Sequence, residues 1–173
     1  ITAERTLKGQ ANRPALFHFP CMKKKILPAA AVVALVIQFL PAPAKTNPPS
    51  DPARSFAAVM HPPQAVLQLL EKACYDCHSH ATRWPWYADI APMSWPVRKH
   101  VTDGRKQLNF SEWLQPGETQ FSDWNGLESV CTTVRQKEMP LPGYDWMHAE
   151  AKLTDIDRQT ICTWVDGALA KAR

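Results

Sequence analysis

No stretch of this 173-residue chain alternates apolar and polar positions convincingly, and no Asn-Gly hairpin turn joins two such runs, so a β-sheet architecture has no support. There is no internal repeat either, which sets aside solenoids and arrays. Positive charge is also missing where it would matter. The formal net charge is +4, but residues 1–44 hold six Lys/Arg against one acid, leaving 14 Lys/Arg against 15 acids downstream. Without a basic stripe to hold phosphates, nucleic-acid binding has no electrostatic support.

Long apolar runs are scarce. The main one, Ile26 to Leu40, falls short of the roughly 20 residues that span a bilayer comfortably. Met22-Lys23-Lys24-Lys25 precedes it and Pro41-Ala42-Pro43-Ala44 follows it. This order of charged, apolar and small residues reads as a secretory signal over 22–44, cut after Ala44. An uncleaved anchor is the alternative, and membrane contact is expected only in that case. Residues 1–21, upstream of Met22, show no periodic apolar pattern and read as an overcalled N-terminal extension.

Residues 45–61, rich in Pro, Ser and Ala, read as a flexible tether, with the compact domain expected over 62–173. Pro62 and Pro63 suit a first helical turn, and Val66, Leu69, Leu70 and Ala73 recur on one face of a helix that runs into Cys74. Trp84-Pro85-Trp86-Tyr87 and Pro92-Met93-Ser94-Trp95-Pro96 predict an ordered loop, after which Ser94 is placed to N-cap a helix through Val97, His100 and Val101 toward Gly104. Ser111 is expected to cap a turn at Glu112-Trp113. Asp123 is expected to cap a helix with a Trp124, Leu127, Val130, Cys131 and Val134 stripe, ending before Pro140. The last helix opens on Thr154-Asp155-Ile156-Asp157, a capping box with Asp for Glu, and its apolar face is read as Ile156, Ile161, Trp164, Val165, Ala168 and Leu169. The fold class is therefore all-α: a small helical domain with long ordered loops.

Cys74-Tyr75-Asp76-Cys77-His78 is the C-x-x-C-H pattern of covalent haem attachment, in which two thiols join the haem vinyl groups and the adjacent imidazole ligates iron. The competing readings are half of a zinc site and a redox dithiol. Zinc wants a second ligand pair, and Cys131 and Cys162 are singletons. A thioredoxin-like dithiol wants a βαβ setting, which is absent.

Plain electron transfer asks for a second axial ligand. Met139, in Glu138-Met139-Pro140-Leu141-Pro142, is the candidate, because the prolines stiffen a loop that presents its thioether. His100 and His148 are its rivals, with His80, Met93 and Met147 behind them, and loop packing is the alternative role for Met139. Trp84, Trp86, Tyr87 and Trp95 are candidates to wall the cofactor crevice, although core packing explains them equally well. Cys131 and Cys162 fall on the apolar faces of two helices and are expected to pair as a disulfide.

In these residues the chain resembles the bacterial haem-binding domain family over about residues 62–166. The matching stretches are Cys74 to Ser79, Thr82-Arg83-Trp84-Pro85-Trp86-Tyr87, Pro92 with Ser94-Trp95, and His100-Val101 with Gly104-Arg105. Leu108 to Trp113, Glu138-Met139-Pro140, and His148 with Glu150 to Leu153 continue the pattern. The resemblance implies one covalent haem c in a cytochrome c-like helical domain, and it supplies no substrate. Two departures are His80, where members often carry Asn, and Leu141, where they often carry a second Pro. The expected function is one-electron transfer in the periplasm with an unidentified redox partner and no enzymatic role. The alternative is a haem-based ligand sensor or peroxidase-like enzyme with an open or displaceable sixth iron position.

Overall fold

Helical spacing in the sequence becomes helices in the structure. The computed structural model describes residues 22–115 and 124–172, and in that range it holds eight α-helices, short 3-10 turns and no strand. The protein is all-α.

Among the described residues, 22–39 belong to a unit of their own. It contains α1 (Met22–Val36), which carries Pro28 inside it and exposes Leu27, Val32 and Leu35. Among the described residues no helix is long and apolar enough to cross a membrane.

The second unit starts at Leu40, well before the expected Pro62, and the stretch read as a flexible tether is part of it. Ser55 caps the short α2 (Phe56–Met60) by accepting from the Ala58 N–H, and the left-handed His61 ends that helix. Phe56 is fully buried and packs edge-on against Phe110, Trp113 and Trp164, with ring centroids 4.8–5.6 Å apart. Burying a side chain of this size contributes on the order of 2–3 kcal/mol. Further upstream, Asn47 donates to the Thr82 carbonyl, and its own side-chain oxygen accepts from Trp84 Nε1 and Arg105 Nη2. A single aromatic in a proline-rich segment has no periodicity, which is why its anchoring role is invisible in the sequence.

Helix α3 (Gln64–Ala73) follows Pro63, which sits at its N-cap, and buries Val66, Leu70 and Ala73. It leads into α4 (Tyr75–His78). Helix α5 (Ser94–Gln107) holds Pro96 in its first turn as expected, but Ser94 lies within the helix, buried, and makes no capping bond. The turn after α5 is organised by Asn109 rather than Ser111: the Asn109 side-chain oxygen accepts from the Ser111 N–H, and its carbonyl accepts from the Glu112 N–H. Helix α6 (Trp124–Arg135) buries Leu127, Val130, Cys131 and Val134 of the expected stripe and leaves Trp124 partly buried, while its predicted cap Asp123 lies outside the described residues.

After the short α7 (Tyr144–Met147) comes the longest described helix, α8 (Asp155–Ala172). Its capping box is reciprocal: Thr154 N–H donates to Asp157 Oδ2 at 2.9 Å and Asp157 N–H to Thr154 Oγ1 at 3.1 Å. Ile161 and Val165 are fully buried, whereas Ile156, assigned to the same face, is exposed in the first turn. Helices α3, α6 and α8 meet in a core with Phe56, Phe110 and Trp113. Across α6 and α8 the sulfurs of Cys131 and Cys162 lie 2.21 Å apart, at disulfide distance.

Candidate functional site

One helical turn gathers the chemistry. Residues i, i+3 and i+4 of a helix share a face, so the spacing of Cys74, Cys77 and His78 aligns two thiols and an imidazole. The turn grows directly from α3: Cys74 N–H donates to Leu70 O at 2.8 Å and His78 N–H to Cys74 O at 2.9 Å. The two intervening residues anchor it. Tyr75 stacks on Phe110 with centroids 4.9 Å apart. The Asp76 carboxylate accepts three bonds from Arg83, through its N–H, Nε and Nη2, and one from the Tyr144 hydroxyl. Burial alone would raise the Asp76 carboxyl, but the Arg83 bonds outweigh it and hold the group below its usual range.

The carbonyls around the turn are satisfied from downstream. Thr82 Oγ1 donates to Asp76 O, Phe110 N–H to His78 O, and Arg105 Nε to Ser79 O. Helix α5 comes so close that a Cβ on Gly104 would stand 2.7 Å from the Cys77 carbonyl oxygen. Only glycine fits there without displacement.

Burial pushes the Cys74 thiol up to about 12 and the Cys77 thiol to about 11, with each raised further by a neighbouring acidic group. Both are protonated at neutral pH, the opposite of the acidified thiolate that a dithiol oxidoreductase uses. Burial also lowers the pKa of His78, so its imidazole is neutral. Its Nδ1 lies 3.2 Å from the Leu108 carbonyl oxygen. A carbonyl only accepts, so Nδ1 carries the proton and Nε2 keeps a lone pair for a metal.

In front of this face lie two hollows of about 200 and 100 Å³. Ala73, His78, Gln107 and Met139 line both of them. Cys77, Gly104, Leu141 and Tyr144 belong to the larger one, and Cys74, Phe110, Val130 and Thr133 to the smaller. The two hollows are neighbours that share Ala73, His78, Gln107 and Met139, are mostly apolar, and have one thiol each in their linings. Two thiols, a neutral imidazole and a thioether around a mostly apolar slot are groups that could hold a haem, the imidazole and thioether as iron ligands. By contrast, no group of three or more His, Cys, Asp or Glu among the described residues is placed to hold a metal ion directly.

A haem-binding domain family model matches residues 32–167, which is 136 of the 173 residues. The chain belongs to the haem-binding domain family. The match starts upstream of Pro62 and so takes in the segment that brings Phe56 to the core. No curated protein and no solved structure matches the chain.

Within this haem-binding domain the other residues singled out from sequence fall in different places. His100 lines the larger hollow. His148 does not: its Nε2 is 2.6 Å from the Tyr87 hydroxyl, its ring stacks on Tyr144, and Nδ1 faces Glu150 at 3.6 Å. His80 faces away as well, its Nε2 2.9 Å from Asn109 Nδ2. Met93 and Met147 are exposed.

None of the four aromatics proposed as crevice walls lines either hollow. Trp84 is tied to Asn47, Trp86 is exposed, Tyr87 bonds His148, and the indole N–H of Trp95 is buried without a partner. Their proximity to the motif in sequence does not bring them over it in space. Sequence reading missed Tyr144, Gln107 and Leu141 as lining residues. Leu141, one of the two departures from the family pattern, lines the larger hollow even without proline's ring.

Proposed function

We propose that this haem-binding protein carries one haem c, held by thioether bonds from Cys74 and Cys77 and ligated by His78 and Met139, and that it transfers single electrons in the periplasm. The observation that carries this reading is the shared lining: His78 and Met139 border both hollows, while Cys74 and Cys77 border one each. Bound there, the haem supplies a one-electron iron couple.

The chain's own residues do the rest. Leu108 fixes the His78 tautomer, and Ala73, Phe110, Val130 and Leu141 keep the slot apolar. A Met139 thioether as second protein ligand to the iron would leave no position for substrate, which favours a carrier over an enzyme. His100 is the less favoured candidate by position because it belongs to α5, the helix that backs the Cys77 turn and whose C-terminal end holds His78. Met139 comes from the separate segment between α6 and α7. Export fits the charged, apolar and small-residue order of 22–44. A Cys131–Cys162 disulfide fits the same compartment.

The test is the absorption spectrum of protein matured with the periplasmic haem-attachment machinery, oxidised and reduced, beside Met139→Ala. A c-type reduced spectrum with a weak sulfur-to-iron charge-transfer band that vanishes in the variant is the expected result. A high-spin spectrum indifferent to the substitution, with carbon monoxide binding to the ferrous form, would replace the carrier with a ligand sensor or peroxidase-like enzyme.

A further inference from the structure

A thioether is a neutral, weak donor on a side chain with three rotatable bonds. It holds iron against competitors only where the main chain beneath it is fixed. The segment that carries Met139 lies outside any helix, between the end of α6 at Arg135 and the start of α7 at Tyr144. Lys137 adopts the left-handed conformation, with φ +61°, and turns the chain back on itself. The N–H groups of Glu138 and Met139 then both donate to Thr133 O, at 3.0 and 3.2 Å. That fastens the amide side of Met139 to α6.

Its carbonyl side has no such local help, since Pro140 brings no N–H to the turn. The donor comes from α8 instead. Arg158 Nη1 bonds the Met139 carbonyl oxygen at 2.9 Å and the Val134 carbonyl oxygen at 2.7 Å. One charged donor therefore ties the loop to the end of α6 from a third element, one helical turn before Cys162.

We infer that Arg158 is a positioning residue for the axial methionine, setting how firmly Met139 holds the haem iron without touching the haem itself. This rests on the Met139 ligation proposed above. A guanidinium does this better than an ammonium because its planar, pre-organised donors suit two carbonyls at a fixed separation. Losing it leaves both carbonyls without their charged donor and frees the loop on its carbonyl side. The sulfur then competes less well for iron.

The experiment compares haem-loaded wild type, Arg158→Ala, Arg158→Lys and Val165→Ala, using imidazole as the competing ligand. Val165 is fully buried on the same helix and touches the core rather than the loop, so its variant reports general loss of packing. Arg158→Ala is expected to bind imidazole about tenfold more tightly, the scale of one charge-assisted hydrogen bond. It should also show a weaker sulfur-to-iron band and a lower reduction potential. Arg158→Lys should fall between it and wild type, which separates positioning from simple charge, because lysine keeps the charge. Val165→Ala should unfold at lower temperature with its imidazole affinity unchanged.

Imidazole affinity and band equal to wild type in both Arg158 variants would overturn the inference alone. So would a Val165→Ala protein that tracks Arg158→Ala. If Arg158→Ala yields no folded protein, Arg158→Lys decides: a tighter imidazole complex supports the role and a wild-type one overturns it. A wild type that lacks the band removes the Met139 ligation, and this inference falls with it.

Discussion

The turn that carries Cys74, Cys77 and His78 takes its shape from helix α3 immediately before it, whereas Met139 depends on a helix whose first residue, Asp155, is 16 positions further on. On the first side, successive main-chain bonds and the i, i+3, i+4 spacing align the donors. On the second, a left-handed turn, Arg158 and the α6–α8 contact hold a loop in place. The difference separates two properties of the protein. Under the proposed haem binding, keeping the cofactor would be a local matter and tuning it a tertiary one.

The largest test of that separation is removal of the Cys131–Cys162 pair, which lies at disulfide distance between α6 and α8. Closing a 31-residue separation is worth about 3–4 kcal/mol in the chain-entropy model. Cys131→Ala combined with Cys162→Ala should lower stability by that amount in denaturant titrations. Haem should remain covalently attached by mass spectrometry, with the sulfur-to-iron band weakened. Full loss of covalent haem in this variant would show that the two sides are not separable.

The converse change targets the attachment side. In Gly104→Ala the new methyl would meet the Cys77 carbonyl oxygen and carbon, at 2.7 and 3.2 Å, both main-chain atoms that cannot swing aside. Overpacking of about 1–3 kcal/mol outweighs the helix-propensity gain of about 1 kcal/mol. A net loss of up to about 2 kcal/mol is expected, with a reduced yield of haem-loaded chain. The molecules that do load should retain the methionine band, and its disappearance from them would break the comparison.

The smallest effect sharpens the attachment side by pH. The Asp76 carboxyl is held below its ordinary value of 3.8 by Arg83 against the opposing effect of burial. The unfolded chain therefore takes up the proton first as pH falls, so the stabilisation is complete above about pH 4 and declines below it. Guanidinium unfolding at pH 7 and pH 3 should show this acid-limb loss in wild type and a smaller one in Asp76→Asn. Equal losses would mean that the Arg83 bonds do not act on the equilibrium.

What the sequence made legible follows the same division. The C-x-x-C-H turn, the α3 and α6 stripes and the Thr154 capping box are patterns within a few residues, and all four appear where the spacing put them. Met139 lies in a loop that two prolines mark, and it borders both hollows. Arg158 was not legible, since a basic residue on an exposed-looking helix position carries no sign that two distant carbonyls await it. Phe56 was hidden by the proline-rich stretch around it. The aromatics from Trp84 to Trp95 line neither hollow, because density of tryptophan near a motif says nothing about the direction in which the loop leaves it. His148 was read as a rival ligand, yet Tyr87 and Tyr144 engage it on two sides.

The close approach of α5 also bears on how this protein could be hardened for use as a reagent. Replacing helical glycines by alanine is a routine route to thermostability, and Gly104 and Gly167 would look like equivalent targets in a list of helix residues. They are opposites. A Cβ at Gly167 in α8 would meet nothing within 4 Å, so that site is open to improvement, while the one at Gly104 is closed by the backbone of the cofactor turn.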